Sequence, residues 1–514
     1  MARRLLALVA LLALMAGTAA AQDAKAVLQA AATAMGTNSV KTVQLSGTGW
    51  SGAVGQSYSP NDDWPRFDVT SYTRSIDYDA RSSKEELTRR QGNNTPRGGG
   101  GTPLQGDQRQ EFNVSGTFAW NVAGTNTNPV PEAAEVRQIE ILLTPHGFLK
   151  AAMAAPDAKA ASFVVAGPSV PGVTQNGGRM TVVSFTAMGK YRVQGTINSE
   201  NLVEFIQTWI ANPVFGDMVY EVRATDYKDF GGAKFPTFIH VHQGNPRINA
   251  GHNSLEIRFT SVQPNIALPA MTVPDAVRKA TVAPVRVEAQ KLADGIWLMA
   301  GGTHNSVAVE FRDFVTVIEA PLNEQRSVAV MTEIHKLVPN KPIKYVVNTH
   351  HHFDHSGGLR TYVAEGATVI THPGNREFYE DVLLYPAPRT VEPDRMSTFY
   401  PLWNNNRVST YEMVNQKYVI SDGTRTVDLY PVQGLNHAAT MMMAYFPKEK
   451  ILVNADLYNA PAAGAAAPTA PTASMRTLSQ NIQRLKLDVV QHVPIHGAPG
   501  GNEPFVKLVG QSSN

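Results

Sequence analysis

The run Asn348-Thr349-His350-His351-His352-Phe353-Asp354-His355 gathers side chains suited to holding a cation. Setting His351 aside, three imidazoles and one carboxylate fall at positions i, i+2, i+4 and i+5. No hydrophobic period of a helix or strand asks for such a run. Two imidazoles two residues apart in an extended turn can reach one cation. The Asp and His just beyond can reach a second cation beside it. Neutral imidazole and carboxylate oxygen are the ligands that a borderline divalent cation such as zinc takes.

The flanking segments say where such a turn must sit. Ile343 to Val347 reads as a buried strand, and Gly357 to Gly366 as a short helix. The turn therefore lies at the carboxyl end of a strand, where α/β proteins place their chemistry.

The whole chain has 514 residues, too many for one ordinary core, and 43% are apolar, as in globular protein. Met1 to Ala21 has the parts of a secretory signal: Arg3 and Arg4, the apolar stretch Leu5 to Met15, and the small residues Ala19-Ala20-Ala21. The arginine pair lacks the flanking pattern of a twin-arginine signal, which favours the general secretion route. The stretch is short for a bilayer span, and no later apolar run is long enough for one. The expected location is periplasmic or secreted, with an uncleaved anchor as the alternative. Removing residues 1–21 leaves 43 basic against 43 acidic residues. This balance argues against a nuclease, which would carry a basic surplus. There is no cysteine, so neither disulfides nor thiolate ligands can contribute.

Residues 22–285 and 286–514 differ in pattern. The first part is strand-rich. Helices are expected at Ala24 to Met35, within Ala133 to Ala154, and at Asn201 to Asn212, with alternating segments from Thr42 to Asn121 and from Ala161 to Pro264. Long antiparallel strands with few helices imply a curved sheet or half barrel. Gly98-Gly99-Gly100-Gly101 reads as a solvated hairpin connection, because no strand and helix frame it as a phosphate cradle. His240 and His242 share one sheet face, read as a polar face rather than a metal site. The segment Asp226-Tyr227-Lys228-Asp229-Phe230-Gly231-Gly232-Ala233-Lys234-Phe235-Pro236, with the strand pattern, weakly resembles periplasmic lipoprotein-carrier sheets. Val273 to Val285 reads as a connection. The second part alternates strands and helices, a mixed α/β layout with helices outside.

This second part resembles the metallo-β-lactamase superfamily over essentially all of residues 286–514. The histidine turn matches that family's hallmark motif. Gly434-Leu435-Asn436-His437, Val453-Asn454-Ala455-Asp456 and Val493-Pro494-Ile495-His496-Gly497 each follow an expected strand, as the family pattern requires. The resemblance implies an αββα sandwich. It implies that His350, His352 and His437 hold one metal, that Asp354, His355 and His496 hold a second, and that Asp456 bridges them. One departure is that Leu435 and Asn436 intervene where members often have Gly-His directly.

Two divalent cations roughly 3.5–4 Å apart can share a water and lower its pKa to about 7. Asp354 could then orient that nucleophile and accept its proton. The resulting expectation is a hydrolase with two zinc ions, iron and manganese remaining open, acting on a small-molecule ester, thioester, lactone or amide. Nucleic-acid partners are not expected. Two other readings stay open: an envelope carrier with a secondary metal domain, and a di-iron redox member of the superfamily. Redox members usually carry Glu where this chain has His352, which speaks against that class. Among the remaining histidines, His351 is expected behind the ligands or at the surface, and His372 either beside the site or in plain packing. His304, His335 and His492 are expected as surface or core residues. Glu319 is read as a partner to a ligand histidine or as a turn residue. Tyr458 and the loop Ala460 to Ala473 either border the substrate entrance or form a solvated insertion.

Overall fold

The computed structural model describes residues 20–165, 178–245, 249–385, 389–398, 410–460 and 468–510. Most of the Met1 to Ala21 segment and the middle of the Ala460 to Ala473 loop lie outside them.

Alternation of side chains builds the amino-terminal part. In the strand Tyr191–Ile197, Tyr191, Val193 and Ile197 are buried while Arg192 faces solvent. A strand with period two can bury one face only, so it needs a cover on that side. Fourteen strands between Ala20 and Pro264 join in one sheet among the described residues, and every pairing is antiparallel. The helices Ala24–Met35, Ala134–Leu142 and Pro145–Ala154 supply cover. Leu28, Met35, Ile139, Phe148 and Leu149 pack with Val183, Val193, Val203 and Ile206 of the sheet.

The helix expected at Asn201 to Asn212 is instead the strand Val203–Asn212. Its apolar residues also fit a helical period, but Val203, Phe205, Ile206, Thr208, Trp209 and Ile210 are β-branched or aromatic and favour a pleated surface. A turn with Asn201 at φ +60° folds it back onto the strand before, and the strand after pairs with it from Phe205 to Asn212. The last of the alternating segments expected before Asn121 is two strands, Gln108–Ser115 and Phe118–Ala123. The expected connection Val273 to Val285 contains the short helix Asp275–Lys279, which packs Val277 against Trp120.

From Glu288 onward the chain forms a two-sheet sandwich. The first sheet runs in sequence order from Glu288–Ala293 to Tyr411–Met413. Its early strands are antiparallel, and Val315–Ile318, Ile343–Val347, Thr368–Thr371 and Tyr411–Met413 are parallel. The second sheet holds six strands from Tyr418–Ser421 to Gly500–Gly501. Leu298, Val307, Val347 and Ile370 meet Leu429, Met443, Leu452 and Val493 between the sheets. Val346, beside Val347, points the other way, toward the helices Glu324–Leu337 and Leu359–Ala364. The helices Ala473–Leu485 and Asn502–Gly510 bury Leu478, Phe505 and Leu508 in the same core as the second sheet. The layers are thus αββα.

The large sheet and the sandwich touch extensively. Phe215 packs edge-on against Phe353 at 5.0 Å between ring centres, and Trp64 meets Phe353 at 6.4 Å. Arg389 donates to the carbonyls of Asn212, Pro213 and Val214, and the Asp217 carboxylate accepts from the amides of Thr390 and Val391.

Candidate metal centre

Strand ends deliver the chemistry. The strand Ile343–Val347 ends at the histidine turn, and Phe353–Ser356 adds one helical turn that carries Asp354 and His355. Asn348 and Ser356 fasten this turn internally: Asn348 Nδ2 donates to the His355 carbonyl, and Ser356 Oγ to that of His352. Asp456 follows the strand Ile451–Asn454 with φ +55°, a left-handed conformation that Asp tolerates better than most residues. His496 follows the strand Gln491–Pro494. His437 lies in the loop after Thr426–Pro431, whose extra residues have work: Leu435 is buried in the core and the Asn436 carbonyl accepts from the Gly98 amide.

These elements bring all seven residues singled out by sequence to one place. His350, His352 and His437 present ring nitrogens within 4.8 Å of one another, and the ligand atoms of Asp354, His355, His496 and His304 form a second such group. Asp456 stands between the groups. Its Oδ2 lies 3.3 Å from His350 Nε2, 3.3 Å from His437 Nε2 and 3.0 Å from His355 Nε2, and its Oδ1 is 3.0 Å from His496 Nε2.

The unpartnered atoms test whether a metal suits this arrangement. His350 Nε2, His352 Nδ1, His437 Nε2 and Asp456 Oδ2 are buried without a well-aligned hydrogen-bond partner, although three imidazole nitrogens crowd Asp456 Oδ2. Buried polar atoms are costly when left so, and here four converge. Most of the histidines are tied by the nitrogen that faces away. His350 Nδ1 lies 3.0 Å from Thr349 Oγ1, His352 Nε2 lies 2.9 Å from the Ser57 carbonyl, His355 Nδ1 lies 3.2 Å from Glu319 Oε2, and His496 Nδ1 lies 3.1 Å from the Thr303 carbonyl. Such partners fix the ring and leave the other nitrogen as a lone pair for a cation. The residues fit a pair of divalent cations.

The electrostatics agree. Burial holds His350 and His352 well below the ordinary imidazole range, so both are neutral donors near neutral pH. Burial opposes ionisation of Asp456, but the His355, His437 and His496 imidazoles outweigh it and hold the carboxyl well below its usual range. For His355 burial is in turn outweighed by Asp456 and Glu319, which hold a proton there that a cation would displace.

Other residues need correction or placement. His304, expected as a surface or core residue, instead stands among the clustered side chains. Its Nε2 is 3.2 Å from Asp354 Oδ2 and its ring lies 4.0 Å from that of His496. Arg326, fully buried, holds that loop by donating to the His304 and Met299 carbonyls, and Asn305 ties it to Pro494 and Gly497. Glu319 is buried with φ +76° and accepts from Thr349 Oγ1 and Asn348 Nδ2 as well as facing His355. His351 is buried and bonds Thr440 Oγ1 and the Ser57 carbonyl. His372 caps a short turn by accepting from the Gly374 amide, His335 is exposed, and His492 is buried on Asn502 Oδ1. His242 bonds Glu221 on the polar sheet face, with His240 beside it.

The larger miss is Gly98-Gly99-Gly100-Gly101. Gly98 and Gly99 are buried rather than solvated, and a Cβ on Gly99 would lie 2.9 Å from His352 Cε1. Together with Gln56 and Ser57 this loop belongs to the large sheet's side of the molecule. Local sequence could not reveal it, since only the tertiary fold brings it to the histidines.

Residues 299–489 match the family model described as the metallo-beta-lactamase superfamily. No curated protein matches the chain. Among solved structures, a metallo-beta-lactamase from Pontibacter korlensis aligns at 18% identity over 44% of this chain and 100% of its own, with a TM-score of 0.32. Rubredoxin oxygen:oxidoreductase from the anaerobe Desulfovibrio gigas aligns at 17% identity over 44% of this chain and 60% of its own, with a TM-score of 0.33. The flavodiiron protein from Giardia intestinalis aligns at 18% identity over 45% of this chain and 59% of its own, with a TM-score of 0.32.

Proposed function

We infer that the chain is an exported metal-dependent hydrolase of a small-molecule ester, thioester, lactone or amide, with two zinc ions as its cofactor. One observation carries the reading. Two triads of donors, His350/His352/His437 and Asp354/His355/His496, flank the single carboxylate of Asp456, with unpartnered donor atoms aimed inward. Two such cations, when bound, polarise a scissile carbonyl and lower the pKa of a shared water.

The chain's own groups then have distinct tasks. His350, His352 and His355 are buried, while the Asp354, His496 and His437 side chains keep 34%, 25% and 19% of their exposure. Substrate therefore enters on the Asp354 side. Burial raises the Asp354 carboxyl, but His304 and His355 outweigh it and hold it well below the usual range. A carboxylate of such low basicity suits orienting an attacking water by accepting its hydrogen bond. Export rests on Arg3, Arg4, the apolar stretch and the Ala19-Ala20-Ala21 site, and mass spectrometry of secreted protein beginning near residue 22 would support it.

The test is a panel of β-lactam, thioester, lactone and phosphoester substrates, run with and without chelator on wild type and Asp354→Ala. The expected outcome is hydrolysis of one class that chelator and the substitution both abolish. Full activity after complete metal removal would overturn the reading. Bound iron with a di-iron electronic spectrum and no hydrolysis would transfer it to redox chemistry.

A further inference from the structure

The connection between the strands Thr42–Gly52 and Arg66–Asp77 runs from the large sheet across the histidine turn. The Gly55 carbonyl accepts from the Phe353 amide, the Ser57 carbonyl lies 2.9 Å from both His351 Nε2 and His352 Nε2, and the Tyr58 carbonyl accepts from the Ala439 amide. Gln56 sits in the middle of this strap. Its Nε2 donates to Asp354 Oδ1 at 2.8 Å, its Oε1 accepts from the Gly100 amide at 3.0 Å, and its carbonyl accepts from the Gly99 amide at 2.9 Å.

The geometry divides the Asp354 carboxylate. Oδ1 is taken by Gln56, while Oδ2 faces His304 Nε2 at 3.2 Å and His355 Nε2 at 3.6 Å. A carboxylate on an open face can rotate about its last bond, and a bond to one oxygen removes that freedom. Gln56 cannot itself drift, because the glycine loop holds its other end. That loop approaches closely enough that a Cβ on Gly99 would stand 2.0 Å from Gln56 Oε1.

We propose that the strap from the large sheet is a working wall of the metal centre, with Gln56 the positioning residue that fixes Asp354 for the cation held by Asp354, His355 and His496. The proposal rests on the dinuclear reading above and adds to it that the centre is incomplete without the amino-terminal part. It also assigns that part a role at the site rather than a separate one. The bland alternative is that Gln56 only glues the sheet to the sandwich.

The experiment titrates zinc and cobalt into metal-free full-length protein: wild type, Gln56→Met, Gln56→Glu, Asp354→Ala and Asp217→Ala. Gln56→Met keeps the length of the side chain without its donor, and Gln56→Glu sets a second carboxylate against Asp354. Asp217→Ala loosens the docking at Thr390 and Val391, remote in sequence from the strap. The expected result is roughly a tenfold to hundredfold loss of affinity at one of two sites for both Gln56 variants, as for partners that orient a ligand. The cobalt absorption of that site should change, the other site should keep its affinity, and Asp217→Ala should bind both metals as wild type does. Thermal unfolding and far-ultraviolet dichroism report whether each variant is folded.

Two results overturn the role of Gln56 alone: both Gln56 variants binding two metals with wild-type affinity and spectrum while Asp354→Ala loses one, or Asp217→Ala losing as much affinity as they do. Wild type that binds no metal would instead overturn the hydrolase reading, and this proposal with it.

Discussion

His350, His352 and His355 are gripped from behind by three different kinds of partner, and that choice has consequences at the level of single residues. Thr349 holds His350, a backbone carbonyl holds His352, and a full carboxylate, Glu319, holds His355. Glu319 alone brings charge, and it does so from a fully buried, left-handed position. Glu319→Gln keeps the shape but removes the charge that makes His355 a stronger donor. The expected outcome is about a tenfold to hundredfold loss of metal affinity, read by competition with a chromophoric chelator. Equal affinity in the variant would mean that Glu319 only fills a turn. At this scale the clustered residues were legible in the sequence, because His and Asp gathered in a turn or set at strand ends serve neither helix nor strand packing. His304 was not, being a lone histidine after Gly301-Gly302-Thr303 with no partner nearby in sequence. Its one available signal was that it ends a turn between two sandwich strands, at the same edge as the ligands. Gln56 and Ser57 gave no signal, since a glutamine and a serine in an irregular connection are ordinary.

Among the elements, those flanking the site are pinned by a buried ion pair. Arg360, on the helix Leu359–Ala364 that follows the histidine turn, is buried and donates through Nη2 to Asp394 Oδ1 at 3.1 Å, and its Nε pairs with Oδ2. It also reaches the Leu383 and Tyr385 carbonyls, so one guanidinium ties three segments together. Arg389 stands 3.4 Å from the same carboxylate, and burial together with Arg360 pushes its guanidinium down to about 9. Asp394→Ala would leave two buried cations facing each other with no carboxylate between them. Breaking a buried pair this way costs about 3–5 kcal/mol, and chemical denaturation should read a loss of that order. A loss under about 1 kcal/mol would place the pair among weak surface bridges. Element types were legible where one period dominated, as in Ala24–Met35, which the structure matches residue for residue. They were not legible at Val203–Asn212, where the same apolar residues satisfy both periods and β-branched and aromatic types decide only together with sheet pairing.

For the whole molecule, the question is whether the large sheet and the sandwich behave as one body. Their apolar cores are continuous: the cluster that holds Val183, Val193 and Ile206 of the sheet also holds Val330, Ile334 and Leu359 of the sandwich helices. Sequence could divide the chain by pattern but could not show this shared core, since each surface alone reads as an ordinary buried face. Continuity implies cooperative unfolding, and His146 offers a way to test it. This histidine is fully buried in the large-sheet part, between Thr37 Oγ1 at 2.9 Å and the Lys234 carbonyl at 3.0 Å, and burial pushes it down to about 4. An unfolded histidine titrates near about 6.5, so between these values the unfolded chain binds the extra proton. Stability contributed by neutral His146 is therefore complete above about pH 6.5 and is lost as pH falls toward 4, by up to about 3 kcal/mol. His146→Gln retains a donor and an acceptor but cannot titrate. Its unfolding midpoint in denaturant should fall less steeply than that of wild type over that window. If the two parts unfold as one body, release of bound metal from the sandwich should show the same change in pH slope, although His146 lies in the other part of the chain. Metal release whose pH dependence ignores the substitution, while the sheet's own transition responds, would show two bodies that unfold separately despite their shared core.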